Sequence, residues 1–150
     1  MVVHNAVEQR LGSFQRGLAP ADGSGMSREN QVSTETLAKW LASFDLNDPA
    51  GIAMLDSLAT PGNGTLRNRF KEDHSLGASI HAKSGYILGV CALSGYIIPD
   101  QKTWNSNASD HDAHSLSFSI IVNGVKGSVK GAKKMQEAIV FAAINYVNEN

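Results

Sequence analysis

A chain of 150 residues and 16.0 kDa is the size of one ordinary domain and long enough to bury a core. Its 42% hydrophobic and 18% charged residues exclude a disordered or collagen-like polymer. A net charge of −1 and a pI near 6.5 give no electrostatic reason to expect nucleic acid or an anionic membrane as partner. The single cysteine, Cys91, excludes an internal disulfide. No apolar run approaches the roughly 20 residues of a spanning helix. The start, Met1-Val2-Val3-His4-Asn5, lacks the basic and apolar regions of a signal peptide, so any export signal of a parent protein lies outside this chain.

Residues 6–14 place Val7, Leu11 and Phe14 on one helical stripe, the tail of a helix that begins earlier. A turn-rich segment follows at Asp22-Gly23-Ser24-Gly25, where Asp and Ser side chains bond nearby backbone. Ser33 is a good N-cap, and Leu37, Trp40, Leu41 and Phe44 then recur at helical spacing. Asp48-Pro49 starts a short helix through Met54 and Leu55, ended by Pro61-Gly62-Asn63-Gly64. Residues 65–70 form one more turn, with Arg67 and Arg69 projecting.

From about Ala78 the period becomes extended. Residues 79–83 alternate, and residues 89–98 are a β-branched and aromatic run broken by Gly95. The polar stretch 99–114 reads as a long hairpin loop. Residues 115–122 alternate, with Leu116, Phe118, Ile120 and Val122 toward a core and Ser115, Ser117 and Ser119 away from it. The last segment, about 128–148, is a long helix whose expected apolar stripe is Met135, Ile139, Ala142 and Tyr146, widened by Val140, Ala143 and Val147. Lys126, Lys130, Lys133 and Lys134 load its N-terminal half, the unfavourable end for cations, and a solvated basic face is the plain reading of them. Short connections make the three sequential strands antiparallel neighbours, so the fold class is α+β.

Lys83-Ser84-Gly85 is the triplet with most chemistry. An ammonium, a hydroxyl and a glycine on one strand can hold a carboxylate, the glycine letting a ligand approach the backbone. His81 lies on the same strand face as Lys83 and borders any such cleft, or is a plain surface residue. Asp110-His111-Asp112-Ala113-His114 has metal-friendly residue types but sits in a polar loop with no fixed scaffold, so no metal site is expected there. Cys91 on an apolar strand reads as an inert core residue. Asp45, Asn47 and Asp48 read as a helix-capping loop, and Asp22, Ser24, Arg28 and Asn30 as a turn held by its own side chains, with direct substrate contact as the other possibility.

The run from Ala82 to Tyr96, which begins Ala82-Lys83-Ser84-Gly85-Tyr86-Ile87, resembles the Lys-Thr-Gly strand and following strand of serine-type, DacB-like penicillin-binding D-alanyl-D-alanine carboxypeptidases. Asp22-Gly23-Ser24-Gly25-Met26-Ser27-Arg28 is similar to that family's Asp-Gly-Ser-Gly-Leu-Ser-Arg segment. Gly64-Thr65-Leu66-Arg67-Asn68-Arg69 is similar to its Gly-Thr-Leu-x-x-Arg stretch, and Phe118-Ser119-Ile120-Ile121-Val122-Asn123-Gly124 to its next strand. These stretches, in family order, span about residues 20–124.

The resemblance implies a partial β-lactamase or penicillin-binding-protein fold: three sequential antiparallel strands, flanking helices and a long C-terminal helix. It implies that Lys83 stabilises the terminal carboxylate of a D-Ala-D-Ala peptide and Ser84 hydrogen-bonds it. Gly85 admits the substrate, and the backbone N–H of Tyr86 is one of two oxyanion-hole donors. Tyr86 departs from the small hydroxyl residue frequent at its position, which alters the cleft wall more than a backbone donor. The family also needs Ser-x-x-Lys and Ser-x-Asn, and neither occurs in this sequence; Ser128-Val129-Lys130 is one residue short. Residues 1–150 are therefore expected to be one domain, the C-terminal portion of a carboxypeptidase or endopeptidase catalytic domain without its nucleophile, inactive alone.

The alternative is a non-catalytic module that keeps the carboxylate-binding strand for peptidoglycan peptides or a partner protein. Met1 is compatible with either. The implied partners are the peptidoglycan stem peptide and β-lactams in a periplasmic or extracytoplasmic setting, with no cofactor. In the parent fold the strand at residues 115–122 pairs with an N-terminal strand, so its open edge is expected to drive homodimerisation or aggregation.

Overall fold

The computed structural model describes residues 2–12, 16–71, 77–87, 89–100 and 115–149. In chain order they form α1 (Val2–Leu11), α2 (Thr34–Ala42), α3 (Pro49–Asp56), a 3-10 turn (Gly64–Leu66), β1 (Ala78–Ile87), β2 (Val90–Pro99), β3 (Leu116–Asn123) and α4 (Lys130–Glu149). The strands make one antiparallel sheet in the order β1-β2-β3, so the α+β expectation holds. The expected loop after Pro99, with Asp110 to His114, lies outside the described residues.

Residue-type signals set the element ends. Ser33 caps α2, its Oγ accepting from the Thr36 N–H at 3.0 Å, and Asp48 caps α3 by accepting from the Gly51 N–H at 2.6 Å. The helix at 34–42 stops short of Phe44, whose ring instead meets Trp40 edge-on at 5.5 Å and receives the Arg10 guanidinium 3.7 Å above its centre. At residue 51 only glycine fits, because a Cβ there would lie 1.8 Å from the Asp45 carbonyl oxygen.

Alternation along the strands splits the side chains between two layers. Ile80, Ala82, Leu93 and Ile97 meet Leu66, Phe70, Val140 and Ile144 on the α4 side, with Leu116, Phe118 and Ile120 packed against them. Tyr96 and Ile98 meet Leu41 and Leu46 on the α2 and α3 side. The serines of β3 do not face away from a core. Ser117 Oγ donates to the Ala38 carbonyl at 3.2 Å, and Ser119 shares a 2.9 Å hydroxyl bond with Ser94, beneath α2. Small hydroxyl side chains let the helix approach the sheet and satisfy its carbonyls.

Two further expectations are corrected. The buried stripe of α4 is Gln136, Val140 and Ile144, while Met135 and Ile139 are each 46% exposed and Tyr146 is 67% exposed. Gln136 wins the buried position because its amide is satisfied there. Its Nε2 donates to the Cys91 carbonyl at 3.0 Å, and its Oε1 accepts from Arg69 Nη2 at 3.2 Å. Arg69 does not project: it is only 5% exposed, and its Nε meets Glu137 at 2.8 Å while Nη2 also reaches the Lys133 carbonyl at 3.1 Å. Cys91 is buried beside Gln136, as an inert core residue should be.

Gly95 explains the break in the β2 run. A Cβ there would sit 2.0 Å from the His81 carbonyl oxygen and 2.6 Å from the Ala82 Cα, inside the β1–β2 pairing. Gly95→Val should lower stability by on the order of 3 kcal/mol in urea unfolding. Gly131→Ala, where a Cβ meets nothing within 4 Å, should be neutral or slightly stabilising.

Candidate functional site

Among the described residues, the outer edge of β1 is partly covered and partly open. Ala59 bridges to Ala82 there, the Ala82 N–H donating to the Ala59 carbonyl at 2.8 Å and the Ala59 N–H to the Ala82 carbonyl at 3.2 Å. Ala82 thus turns its backbone groups away from β2. By the two-residue period of an antiparallel ladder, Ser84 and Tyr86 do the same, whereas Lys83 and Gly85 turn theirs inward. The edge beyond the Ala59 bridge consequently offers the N–H and C=O groups of Ser84 and Tyr86 to an extended chain.

Side chains divide the other way. His81 and Lys83 stand opposite Tyr96 and Ser94 on the α2 and α3 face, while Ser84 stands opposite Leu93 on the α4 face. Lys83 is exposed, and its ammonium donates to the Ser84 carbonyl at 2.8 Å, so the cation is already held against the open edge. A Cβ at Gly85 would make only an ordinary 3.6 Å contact with Ala92. Packing therefore does not require glycine at this position, which is consistent with leaving room for an approaching ligand. Tyr86 is 54% exposed and forms the far wall. The structure brings the Lys83 ammonium and the open backbone edge together; the Ser84 hydroxyl lies across the sheet plane from Lys83.

The Asp22 segment is held by its own side chains, as its residue types imply. The Asp22 carboxylate accepts from the N–H groups of Gly25 and Ser27, each at 2.9 Å, from Ser24 Oγ at 3.0 Å and from Asn30 Nδ2 at 2.8 Å. The Asn30 bond leads the causes that hold the Asp22 carboxyl below its ordinary value of 3.8. Arg28 is exposed and lines a cleft of about 580 Å³ between this segment and Ile87, Val90 and Ile121 at the strand ends. Asp45 and Asp48 do cap backbone N–H groups, those of Asn47 and Gly51. Among the described residues no group of His, Cys, Asp and Glu could hold a metal ion, and no helix is long and apolar enough to cross a membrane.

His81 is half-buried, and among the described residues its Nδ1 has no hydrogen-bond partner. Burial pushes its pKa below the ordinary 6.5, partly opposed by a hydrogen bond to the Leu55 backbone and by the Asp56 charge. The ring is therefore neutral at pH 7 and adds no charge beside Lys83. The unfolded chain binds this proton more tightly than the folded one, so stability should fall as pH drops below about 6.5. Comparing urea midpoints at pH 7.5 and 5.5, His81→Gln should show a smaller loss than the unsubstituted chain; equal losses would remove His81 as the source.

Three comparisons bear on this geometry. The chain is similar to penicillin-sensitive carboxypeptidase A of Dictyostelium discoideum, 34% identical over 104 residues that cover 68% of this chain and 19% of that protein. It is also 32% identical over 142 residues to the D-alanyl-D-alanine carboxypeptidase of Actinomadura sp. (strain R39), covering 91% of this chain and 23% of that one. The chain thus spans about a fifth of the length of these curated relatives. Its fold matches that of penicillin binding protein 4 (dacB) from Haemophilus influenzae with a TM-score of 0.60 at 23% identity, covering 97% of this chain and 30% of that one. The sequence model of the D-Ala-D-Ala carboxypeptidase 3 (S13) family matches residues 3–145, nearly the whole chain, and the protein belongs to that family.

Proposed function

We propose that the chain supplies the carboxylate-binding edge strand of a serine D-Ala-D-Ala carboxypeptidase or endopeptidase acting on peptidoglycan peptides through an acyl-enzyme. The observation that carries this reading is the Lys83 ammonium poised against an open strand edge. An extended peptide adds alongside β1 and pairs with the backbone of Ser84 and Tyr86. Its terminal carboxylate displaces the Ser84 carbonyl from the Lys83 ammonium, exchanging a neutral acceptor for a charged one. The Ser84 hydroxyl gives a further donor from the other side of the edge, and Gly85 leaves the approach free. The Tyr86 N–H, directed outward, is placed to donate to a developing oxyanion.

No serine here is followed three residues later by lysine, and no Ser-x-Asn occurs. In this reading the nucleophile, its activating lysine and the second donor come from sequence beyond these 150 residues, and residues 1–150 are one portion of a larger catalytic domain. Peptidoglycan as substrate sets the work outside the cytoplasm.

Labelling with a fluorescent penicillin tests the reading. The 150-residue chain should not label, whereas a family-length protein containing it and a Ser-x-x-Lys segment should. Lys83→Ala in that longer protein should cut the labelling rate by about 10- to 100-fold, the worth of a hydrogen bond to a charged group. Covalent labelling of the 150-residue chain would overturn the fragment reading. Unlabelled long protein would favour a non-catalytic peptide-binding module.

We also propose that the edge of β3 away from β2, unpaired among the described residues, associates with a second copy of the chain. Light scattering should show a concentration-dependent dimer that weakens in Ile121→Pro, a substitution that removes an edge donor. A monodisperse monomer at about millimolar concentration would exclude this.

A further inference from the structure

The N-terminal half of α4 is electrostatically the wrong way round. A helix N-terminus carries partial positive charge and favours anions. Yet α4 has no acidic residue in its first turn and begins with Lys130, Lys133 and Lys134. Arg67 and Arg69, from the segment after the 3-10 turn, face the same cleft, which has a volume of about 580 Å³. Among the described residues the one carboxylate in its wall, Glu137, is already bonded to Arg69 Nε at 2.8 Å. Lysines spaced three and four residues apart repel one another by a few tenths of a kcal/mol each.

A solvated basic face accounts for Lys130 and Lys134 but not for Arg69. This side chain is 5% exposed, lines the cleft, and has a buried Nη1 with no hydrogen-bond partner among the described residues. Buried donors on a cation are ordinarily satisfied. Two separate features, a helix N-terminus ringed by cations and a buried guanidinium with one unpaired amino group in its wall, favour an anion here.

We propose that this cleft binds an oxyanion of the phosphate class. Arg69 adds a fixed positive charge in the wall, and Arg67, Lys130, Lys133 and Lys134 supply the donors and the remaining charge. A single carboxylate would leave most of that charge unanswered. A phosphate ester carries close to two negative charges and several acceptor oxygens, and an arginine fork suits its geometry. Lys83 does not line this cleft, and its side chain stands on the face of the sheet away from α4.

The test is an amide NMR titration of the 150-residue chain with sodium phosphate, chloride being lowered to hold ionic strength constant. Saturable shifts are expected at residues 64–69 and 128–134, with a Kd of about 1 mM or below. The exposed double variant Lys130→Gln/Lys134→Gln, which leaves the buried Arg69 network alone, should weaken binding about fivefold or more. Vesicles of phosphatidylcholine with and without phosphatidic acid form the second arm. Retention on the phosphatidic acid vesicles alone, lost in the double variant, would assign the phosphate to a lipid headgroup. Phosphate binding without vesicle retention would assign it to a soluble ester or free ion. Absence of binding in both arms, or binding unchanged in the double variant, would overturn the proposal.

Discussion

The guanidinium of Arg69 joins parts of the chain that no secondary-structure hydrogen bond connects. It holds Glu137, Gln136 and the Lys133 carbonyl on α4, and through Gln136 it reaches the Cys91 carbonyl in β2. A buried charge is tolerated only with such partners. Their placement fixes the rotation of α4 about its axis: with Gln136 turned inward, Val140 and Ile144 follow at four-residue steps, and Met135 and Ile139 are turned outward. The same anchor constrains the next residue. Phe70 adopts a positive φ of 56°, which costs an L-residue roughly 1–2 kcal/mol. Its ring then enters the core and meets Phe141 edge-on at 5.7 Å.

With α4 fixed on one face and α2 and α3 on the other, the sheet is free only at its edges. The two edges differ. Along β1, the Ala59 bridge satisfies the backbone of Ala82 and stops there, so the open part begins next to Lys83. A cation beside an open edge discourages indiscriminate strand pairing and favours a segment ending in an anion. Along β3 the partner on one side is β2, and its outward residues are serine and β-branched types with no charge to blunt pairing.

Period and capping made most of the fold legible. Ser33, Asp48-Pro49 and the alternation at 116–122 marked elements whose local chemistry agrees with their tertiary setting. The errors share one cause. Apolar periodicity assigns inward faces by hydrophobicity, and it failed where a polar group was buried against partners from elsewhere in the chain. Gln136 took the core position expected for the Met135 stripe; Arg69 went inward where a projecting arginine was the natural reading; and Ser117 and Ser119 lie under α2. Each is bonded to a residue distant in sequence, so its partner could not be read locally. The signal available at Arg69 was its place in the Gly64-to-Arg69 motif, where a basic residue follows a buried leucine at a fixed offset.

For the strand edge, the sequence showed which groups are present and the structure showed how they are divided. Lys83 and Ser84 are neighbours in sequence, so a pleated strand sends their side chains to opposite faces. Only the edge is common to both. Under the proposed function, a peptide therefore lies along the edge rather than on either face, in the plane of the sheet, with its charged end reaching the Lys83 ammonium from one side and the Ser84 hydroxyl from the other. That geometry suits the end of an extended peptide and disfavours a ligand seated on a face. The proposed function would also separate recognition from chemistry: the strand orients and neutralises a terminal carboxylate with its own groups, while an attacking nucleophile has to approach the same edge from outside the sheet.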